Sequence, residues 1–419
     1  MAHVKTAIVI GGGIAGPAAA LALRKAGVEA IVYEAYPSTA EGMGGMLMVA
    51  PNGLNALAVI GLDEAVAAIG QPIGRMVMAD ARGKKLMEIG SLHGLPASQL
   101  MWRSDLYRVV RNAAIAQGIR FEHGKRLVAA REMADSITAT FEDGTSATAD
   151  ILIGADGIHS TVRKLIDPYA PQPKSDGLLG FGGEADVELS APADTMFFAF
   201  GKRAFLGYWV RPNGRPAWFA NVPSEQFLST AEARAVPAEE WLARLRESYA
   251  GDLPAEELVR HTNPDRLMVL GSTDMLPEVP RWHRGRMVLV GDSAHAPNHS
   301  SGQGVSLAVE SAVELARCLR DIDDPAAAFT AYEQQRRPRV TRIAAQAART
   351  NQRKAAGPVA SAVMTLIMRV AAKTFATPEK MFGWVHGYRI NWAEPVTASA
   401  GHASVSQTQP SRVEAEAAA

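Results

Sequence analysis

The sequence predicts an α/β chain: a Rossmann-type dinucleotide-binding domain, an inserted and mostly antiparallel β-sheet domain, and a C-terminal helical region. Three observations carry this expectation. A β-branched apolar run, Ala7-Ile8-Val9-Ile10, breaks into glycines and opens onto the helix-forming run from Pro17 to Ala26. Two later apolar runs, Ile151-Leu152-Ile153-Gly154-Ala155 and Arg286-Met287-Val288-Leu289-Val290-Gly291, read as further buried strands. Between those runs, short alternating segments separated by turn residues read as antiparallel strands. The expected boundaries are 1–170 with 282–325 for the nucleotide domain and 171–281 for a substrate-binding sheet domain. Helices are expected over 326–395 and a disordered tail over 396–419, where Ala, Ser, Glu, Gln and Thr offer little to pack.

The first turn has a job for each glycine. Gly11 lets the chain turn, Gly13 lets backbone approach a pyrophosphate without a Cβ in the way, and Gly16 lets the helix pack closely on the strand. The helix N-terminus around Ile14 and Ala15 presents unpaired N–H groups and a partial positive charge, so an anion is held without a basic side chain. Pro17 fits the first helical turn, where no intrahelical N–H bond is lost. A second apolar run, Val28 to Tyr33, ends at Glu34, 18 residues beyond Gly16, with Ala35 next to it. A carboxylate at that strand end accepts from a ribose 2′-OH and repels a 2′-phosphate.

The chain balances 43 basic against 43 acidic residues over 419 positions, which gives no electrostatic footprint for nucleic acid or an anionic membrane and favours a small-molecule partner. The single cysteine, Cys318, lies in the apolar register of a predicted helix; it allows no intrachain disulfide and no multi-cysteine metal site, which suits a reducing compartment. The N-terminus runs directly into a strand without a signal-peptide pattern, and the apolar stretch Ala355 to Met368 is too short to span a bilayer. The expectation is a cytoplasmic protein, monomeric or homodimeric, without a metal site.

Along the chain, Pro51-Asn52-Gly53 opens a helix to about Ile60, and Arg103 stands at the mouth of a helix for which Ser104 is the expected N-cap. The segments Arg126 to Arg131 and Ser136 to Phe141 read as a hairpin, continued after the turn Glu142-Asp143-Gly144-Thr145. Phe198, Phe200, Tyr208, Trp209, Trp218 and Phe219 come from the inserted sheet, one face of which would roof an apolar pocket. Arg336-Arg337-Pro338-Arg339 is expected to mark a bend, and Trp384, Tyr388 and Trp392 fall near the end of the helical region, a cap for the pocket or a dimer face.

After the strand at 151–155 stands Asp156-Gly157-Ile158-His159-Ser160-Thr161-Val162-Arg163, and after the strand at 286–290 stands Gly291-Asp292-Ser293-Ala294-His295. With the first glycine turn, these segments make the sequence resemble the single-component FAD-dependent aromatic hydroxylases, flavoprotein monooxygenases with the para-hydroxybenzoate hydroxylase fold. Asp156, Gly157, Ser160 and Arg163 match that family's Asp-Gly motif, and Gly291-Asp292 its Gly-Asp motif. The resemblance implies FAD held by the first turn, Glu34, Ala35, Arg103, Asp156, Arg163 and Asp292, the last on ribityl hydroxyls. The isoalloxazine would extend toward Gly302-Gln303-Gly304-Val305, where a helix N-terminus favours the negative charge that develops on the reduced ring. The sequence departs from the family where Asn298-His299 replaces a prolyl pair, Ser306 an Asn and Glu310 an Asp, and where Ala35-Tyr36-Pro37 replaces a basic residue after the ribose-binding Glu.

What the resemblance implies is an NAD(P)H-driven monooxygenase. NAD(P)H would bind transiently, O2 would give a C4a-hydroperoxyflavin, and one oxygen atom would pass to an aromatic or polycyclic substrate. His295 and His299 lie near the third motif, and neither is assigned as a catalytic base. Epoxidation and Baeyer-Villiger insertion use the same peroxide. A flavin reductase or dehydrogenase acting without oxygen insertion, and a non-catalytic FAD-binding module, are the rival readings.

Overall fold

The computed structural model describes residues 4–39, 45–354 and 377–397; the apolar stretch at 355–368 and the tail beyond 397 lie outside them. A six-stranded sheet runs His283–Arg284, Met287–Leu289, Ile151–Gly154, Thr6–Ile10, Glu29–Tyr33, Arg120–Glu122. All pairings in it are parallel except the two-residue edge strand. Its central strands are buried on both faces, which is why they read as unbroken apolar runs. Because these strands are parallel, the segments leaving their carboxyl ends (Gly11, Glu34, Asp156 and Asp292) emerge along one edge of the sheet, where open α/β sheets bind ligands.

The second sheet is seven-stranded and mostly antiparallel, in the order Met268–Met275, Lys174–Glu184, Pro216–Pro223, Phe205–Val210, Thr195–Phe200, Arg75–Asp80, Lys85–Gly90. The alternating segments of the inserted region form its centre as expected, but two of its strands come from 75–90, inside the 1–170 span assigned to the nucleotide domain. Thr195–Phe200 pairs with Arg75–Asp80 in parallel, a long-range pairing for which neither segment carries a local signal. The chain therefore crosses into the second sheet twice.

The predicted ribbon forms as Leu127–Glu132, Ile137–Phe141 and Ser146–Ala149. The helix at Arg103 runs Arg103–Ala116, so Ser104 lies within its first turn and is not its cap; Trp102 holds the cap position without a capping side chain. Pro338 lies inside the continuous helix Pro325–Lys354. Cys318 is fully buried in the helix Gly304–Asp321, which packs on Ala15–Lys25, Pro51–Val59 and the long C-terminal helix. Among the described residues no helix is long and apolar enough to cross a membrane.

Candidate functional site

At the first turn Gly11 adopts a φ of 107°, and a Cβ there would meet the Ala155 carbonyl oxygen at 2.4 Å; on Gly16 it would lie 1.9 Å from the Gly11 carbonyl oxygen. Both glycines are demanded by close backbone approach. Gly13 is different: a Cβ on it would meet nothing within 4 Å. No protein contact explains that glycine, and the open space at its Cα leaves room for a ligand to approach the backbone. The helix Ala15–Lys25 begins here without a capping side chain and with no acidic residue in its first turn, so its N–H groups remain available to an anion. Glu34 closes the turn. Its carboxylate accepts from the N–H of Gly12 at 2.7 Å and of Tyr36 at 2.9 Å, holding it at the strand end where a ribose would lie.

The second motif folds onto itself. The Asp156 carboxylate accepts from the Ser160 hydroxyl at 2.5 Å and from the N–H groups of Thr161 at 2.7 Å and Val162 at 3.1 Å, fastening the start of the helix Thr161–Ile166. Burial raises its carboxyl above the usual range, and those hydrogen bonds oppose the rise. Arg163, expected among the cofactor contacts, is wholly buried and donates instead to the carbonyls of Ile158 at 2.6 Å and Ser293 at 3.0 Å. It clamps the second motif to the third. Ser293 completes the clamp by donating to Gly154 and Val290 carbonyls.

Asp292 is exposed at the carboxyl end of its strand, with protein atoms packed around it. That crowding raises its carboxyl above the usual range, and the positive charge of Arg103 pulls it back. Arg103 and Asp292, 189 positions apart in the chain, are thus brought near enough for their charges to interact. Gly291 has a φ of 66° and packs against Ala15 and Ala308, joining the first and third motifs.

Gly302 takes a left-handed conformation that ends the turn His299–Ser301, and the helix Gly304–Asp321 starts two residues later without a capping side chain. Val305 is half-buried at its start, and a Cβ on Gly304 would meet nothing within 4 Å. The Gln303 side chain is buried, its Oε1 accepting from Asn52 Nδ2 at 2.9 Å; the same amide donates to Glu310 at 2.6 Å. Glu310 is the buried centre of a network that sequence reasoning missed. Arg336 lies 2.7 Å and Arg339 2.9 Å from its carboxylate, and Arg339 also donates to the carbonyls of Trp384 and Val385. A carboxylate flanked by Val309, Ala312 and Val313 in an apolar helix was the available signal, because such a charge is buried only with a partner. The Asn52 Oδ1 is buried without a hydrogen-bond partner among the described residues, an acceptor beside the Gly302–Val305 turn.

The aromatic residues of the second sheet divide between its faces. Tyr208 and Trp218 point into a core closed by Trp241, Leu242 and Leu245, away from the cleft. Trp209, Phe198 and Phe219 lie on the other face with Met46, Met48 and Leu100, and the Met48 methyl lies 3.9 Å from where a Cβ on Gly302 would stand. Three of the six aromatics predicted to roof a pocket thus share the face whose Met48 reaches the Gly302 turn.

Comparison with known proteins decides the family. Residues 4–347 match the family model described as FAD binding domain. A FAD-dependent urate hydroxylase of Klebsiella pneumoniae is 35% identical over 347 residues, covering 80% of this chain and 86% of that protein. The chain belongs to the FAD-dependent hydroxylases. A 3-hydroxybenzoate 6-hydroxylase of Klebsiella oxytoca is 29% identical over 82% of this flavoprotein and 87% of that enzyme. The crystal structure of Klebsiella pneumoniae HpxO complexed with FAD and uric acid superposes with a TM-score of 0.78 at 27% identity, covering 91% of the flavoprotein and 96% of HpxO. The flavoprotein is accordingly an FAD-dependent monooxygenase, and the open cradle at Gly13, the exposed helix N-termini and the solvent-facing Asp292 fit that cofactor.

Proposed function

We propose that this flavoprotein is an NAD(P)H-driven monooxygenase that inserts one oxygen atom from O2 into an aromatic or polycyclic small molecule, working in the cytoplasm as a monomer or homodimer. The observation that supports the reading is the half-buried apolar group of Met46, Met48, Phe198 and Phe219, packed on the buried Trp209, whose Met48 methyl reaches the Gly302 turn: it is a water-poor surface suited to a flat substrate. Relatives named for urate and 3-hydroxybenzoate point to the same substrate class.

FAD would be held by the backbone of Gly11, Gly13, Ile14, Ala15 and Gly16 at its pyrophosphate and by Glu34 and Ala35 at the adenosine ribose. Arg103 and Asp292 would lie along its length, and Gly302, Gln303, Gly304 and Val305 at its ring. Asp156, Arg163 and Gly291 act by fixing the loops that carry these groups. When bound and reduced by NAD(P)H, FAD supplies the activated oxygen. The protein's contributions are exclusion of water by the apolar face, orientation of the substrate, and a helix N-terminus that favours negative charge on the ring.

The deciding experiment is a screen of NAD(P)H oxidation by holoenzyme against phenols, purines, polycyclic aromatics and alkenes under 18O2, with product masses measured. A substrate that accelerates oxidation and gains one labelled oxygen supports the reading. An epoxide or lactone product corrects the reaction type, and rapid oxidation with no label in any product replaces the reading with a reductase.

A further inference from the structure

The turn His299–Ser301 ends at Gly302, directly before the helix whose N-terminus would face the flavin ring. His299 on that turn meets Asp176 of the second sheet. Its Nδ1 lies 3.2 Å from Asp176 Oδ2, and the aspartate side chain is only 1% exposed while the imidazole is 33% exposed. Asp176 is held from other directions: Asn298 Nδ2 donates to it at 2.5 Å, and the Thr273 hydroxyl donates to its other oxygen. Burial opposes the carboxylate's charge, but the hydrogen bonds from His299, Thr273 and Asn298 outweigh it and hold the carboxyl below its usual range. A fixed carboxylate on Nδ1 sets the tautomer that leaves a lone pair on Nε2, on an imidazole that is one-third exposed.

Resting on the monooxygenase reading, we propose that His299 is the base that takes the proton from an acidic O–H or N–H of the substrate, with Asp176 as its positioning residue. His299 Nε2 bonds to the proton; the O–H or N–H bond breaks and its electron pair stays on the substrate, enriching the ring for attack on electrophilic oxygen. The resulting imidazolium is stabilised by the Asp176 carboxylate and returns its proton to product or water, so the step involves no redox change. The other histidine of the third motif is unsuited to this work. His295 is buried against the Trp282 ring, hydrogen-bonded through Nε2 to Ser311, and its pKa is pushed down to about 3 by burial and by Arg336.

The charged groups around His299 are few. Asp274, on the strand beside Asp176, has its carboxyl raised by burial and lowered by His159 of the second motif. The long helix Pro325–Lys354 also packs on the turn; of its arginines with described side chains, Arg336 and Arg339 are engaged with Glu310, Arg337 with Glu333 and Arg342 with the Trp384 ring, while Arg349 is exposed. Asp176 is therefore the anion in direct contact with the imidazole.

The test uses FAD-loaded enzyme and 4-nitrophenol, whose phenolate is coloured, titrated by difference spectroscopy across pH. Wild type is expected to lower the apparent pKa of the bound phenol by about one unit or more. His299→Asn, and His299→Gln as a second variant, should keep FAD content and Tm but return the bound phenol to its solution pKa. Either variant should lower kcat on a hydroxylated substrate by about 10²-fold and remove the acid limb of the pH profile. Asp176→Asn should lose part of the shift. Failure of wild-type holoenzyme to bind the phenol, an unshifted titration in wild type, or a full shift retained in either His299 variant overturns the assignment. Oxygen-18 incorporation is read on the same preparations: label gained with no shift removes the base and leaves the monooxygenase, whereas a shift with no label does the reverse.

Discussion

The carboxylate of Glu310 and the guanidinium of Arg336 lie 2.7 Å apart with neither side chain exposed to solvent. One belongs to the helix that starts at the Gly302–Val305 turn and the other to the long C-terminal helix. Through Asn52, the same carboxylate is tied to Gln303. The C-terminal helices therefore help to set the position of that turn.

Removing one member of this pair leaves a buried charge short of a partner. Arg336→Met should cost about 3–5 kcal/mol in denaturant unfolding, while Glu310→Gln with Arg336→Met should recover part of that loss. Burial alone would raise the Glu310 carboxyl, but Arg336 and Arg339 outweigh it and hold the group below its ordinary 4.5. The pair's stabilisation is thus fully present above pH 4.5 and is lost as pH falls through the lowered folded value. An acid unfolding series of wild type against the double variant measures this difference; identical slopes below pH 4.5 would refute it.

Gly16 and Gly13 of the first turn should behave as two different kinds of glycine. Gly16→Ala drives a methyl against the Gly11 carbonyl and should cost at least about 1–3 kcal/mol whether or not FAD is present. Gly13→Ala meets no protein atom and should leave the Tm of the apoprotein unchanged while abolishing the yellow colour of purified enzyme. Apoprotein melting curves and the flavin-to-protein absorbance ratio test both. A Gly13→Ala protein with full FAD would show that the open space serves some other purpose.

His295 gives a second pH window. Its folded pKa of about 3 lies below the ordinary 6.5, so the native state keeps it neutral while the unfolded chain takes up a proton. Stability from this group is complete above pH 6.5 and declines as pH falls from 6.5 toward 3. His386, lowered to about 4 by burial and Arg339, adds to the same slope. His295→Gln should be less stable than wild type at pH 7, through its lost packing on Trp282, yet show a shallower decline between pH 6.5 and 4. Chemical denaturation at successive pH values reads the two slopes directly.

Much of this was legible from local pattern. The central strands of the parallel sheet showed as buried runs and those at 195–200, 205–210 and 216–223 as alternation, while the strands at 75–80, 85–90 and 120–122 gave no such signal, and the glycine turn carried its own steric logic. What stayed hidden was long-range pairing. Nothing in Arg75–Asp80 announces a parallel partner at Thr195–Phe200, and Arg336 and Arg339 read as the mark of a bend until Glu310 is placed beside them. Arg163 matched its motif by position, but a motif does not tell whether a side chain faces ligand or protein. Its two terminal nitrogens donate to carbonyls of the protein. The aromatic residues posed the same difficulty: strand alternation puts Tyr208 and Trp209 on opposite faces without saying which face meets the cleft.

That division makes the last prediction. Trp218 fills the core behind the sheet and donates to the Thr262 hydroxyl at 2.9 Å, so Trp218→Ala should cost about 3–5 kcal/mol of stability and alter activity only through the fraction folded. Phe198 and Phe219 are half-buried on the cleft side. Phe198→Ala should cost less stability, because the site is already open on one side, but should lower kcat/KM for an aromatic substrate by about tenfold or more through loss of an apolar contact. It should also raise the share of NAD(P)H consumed without product, since water reaches the oxygen-transfer site more readily. Measuring unfolding free energy, kcat/KM and peroxide release on both variants separates the faces. If Trp218→Ala proved the more damaging to uncoupling and Phe198→Ala the more damaging to stability, the assignment of faces would be reversed.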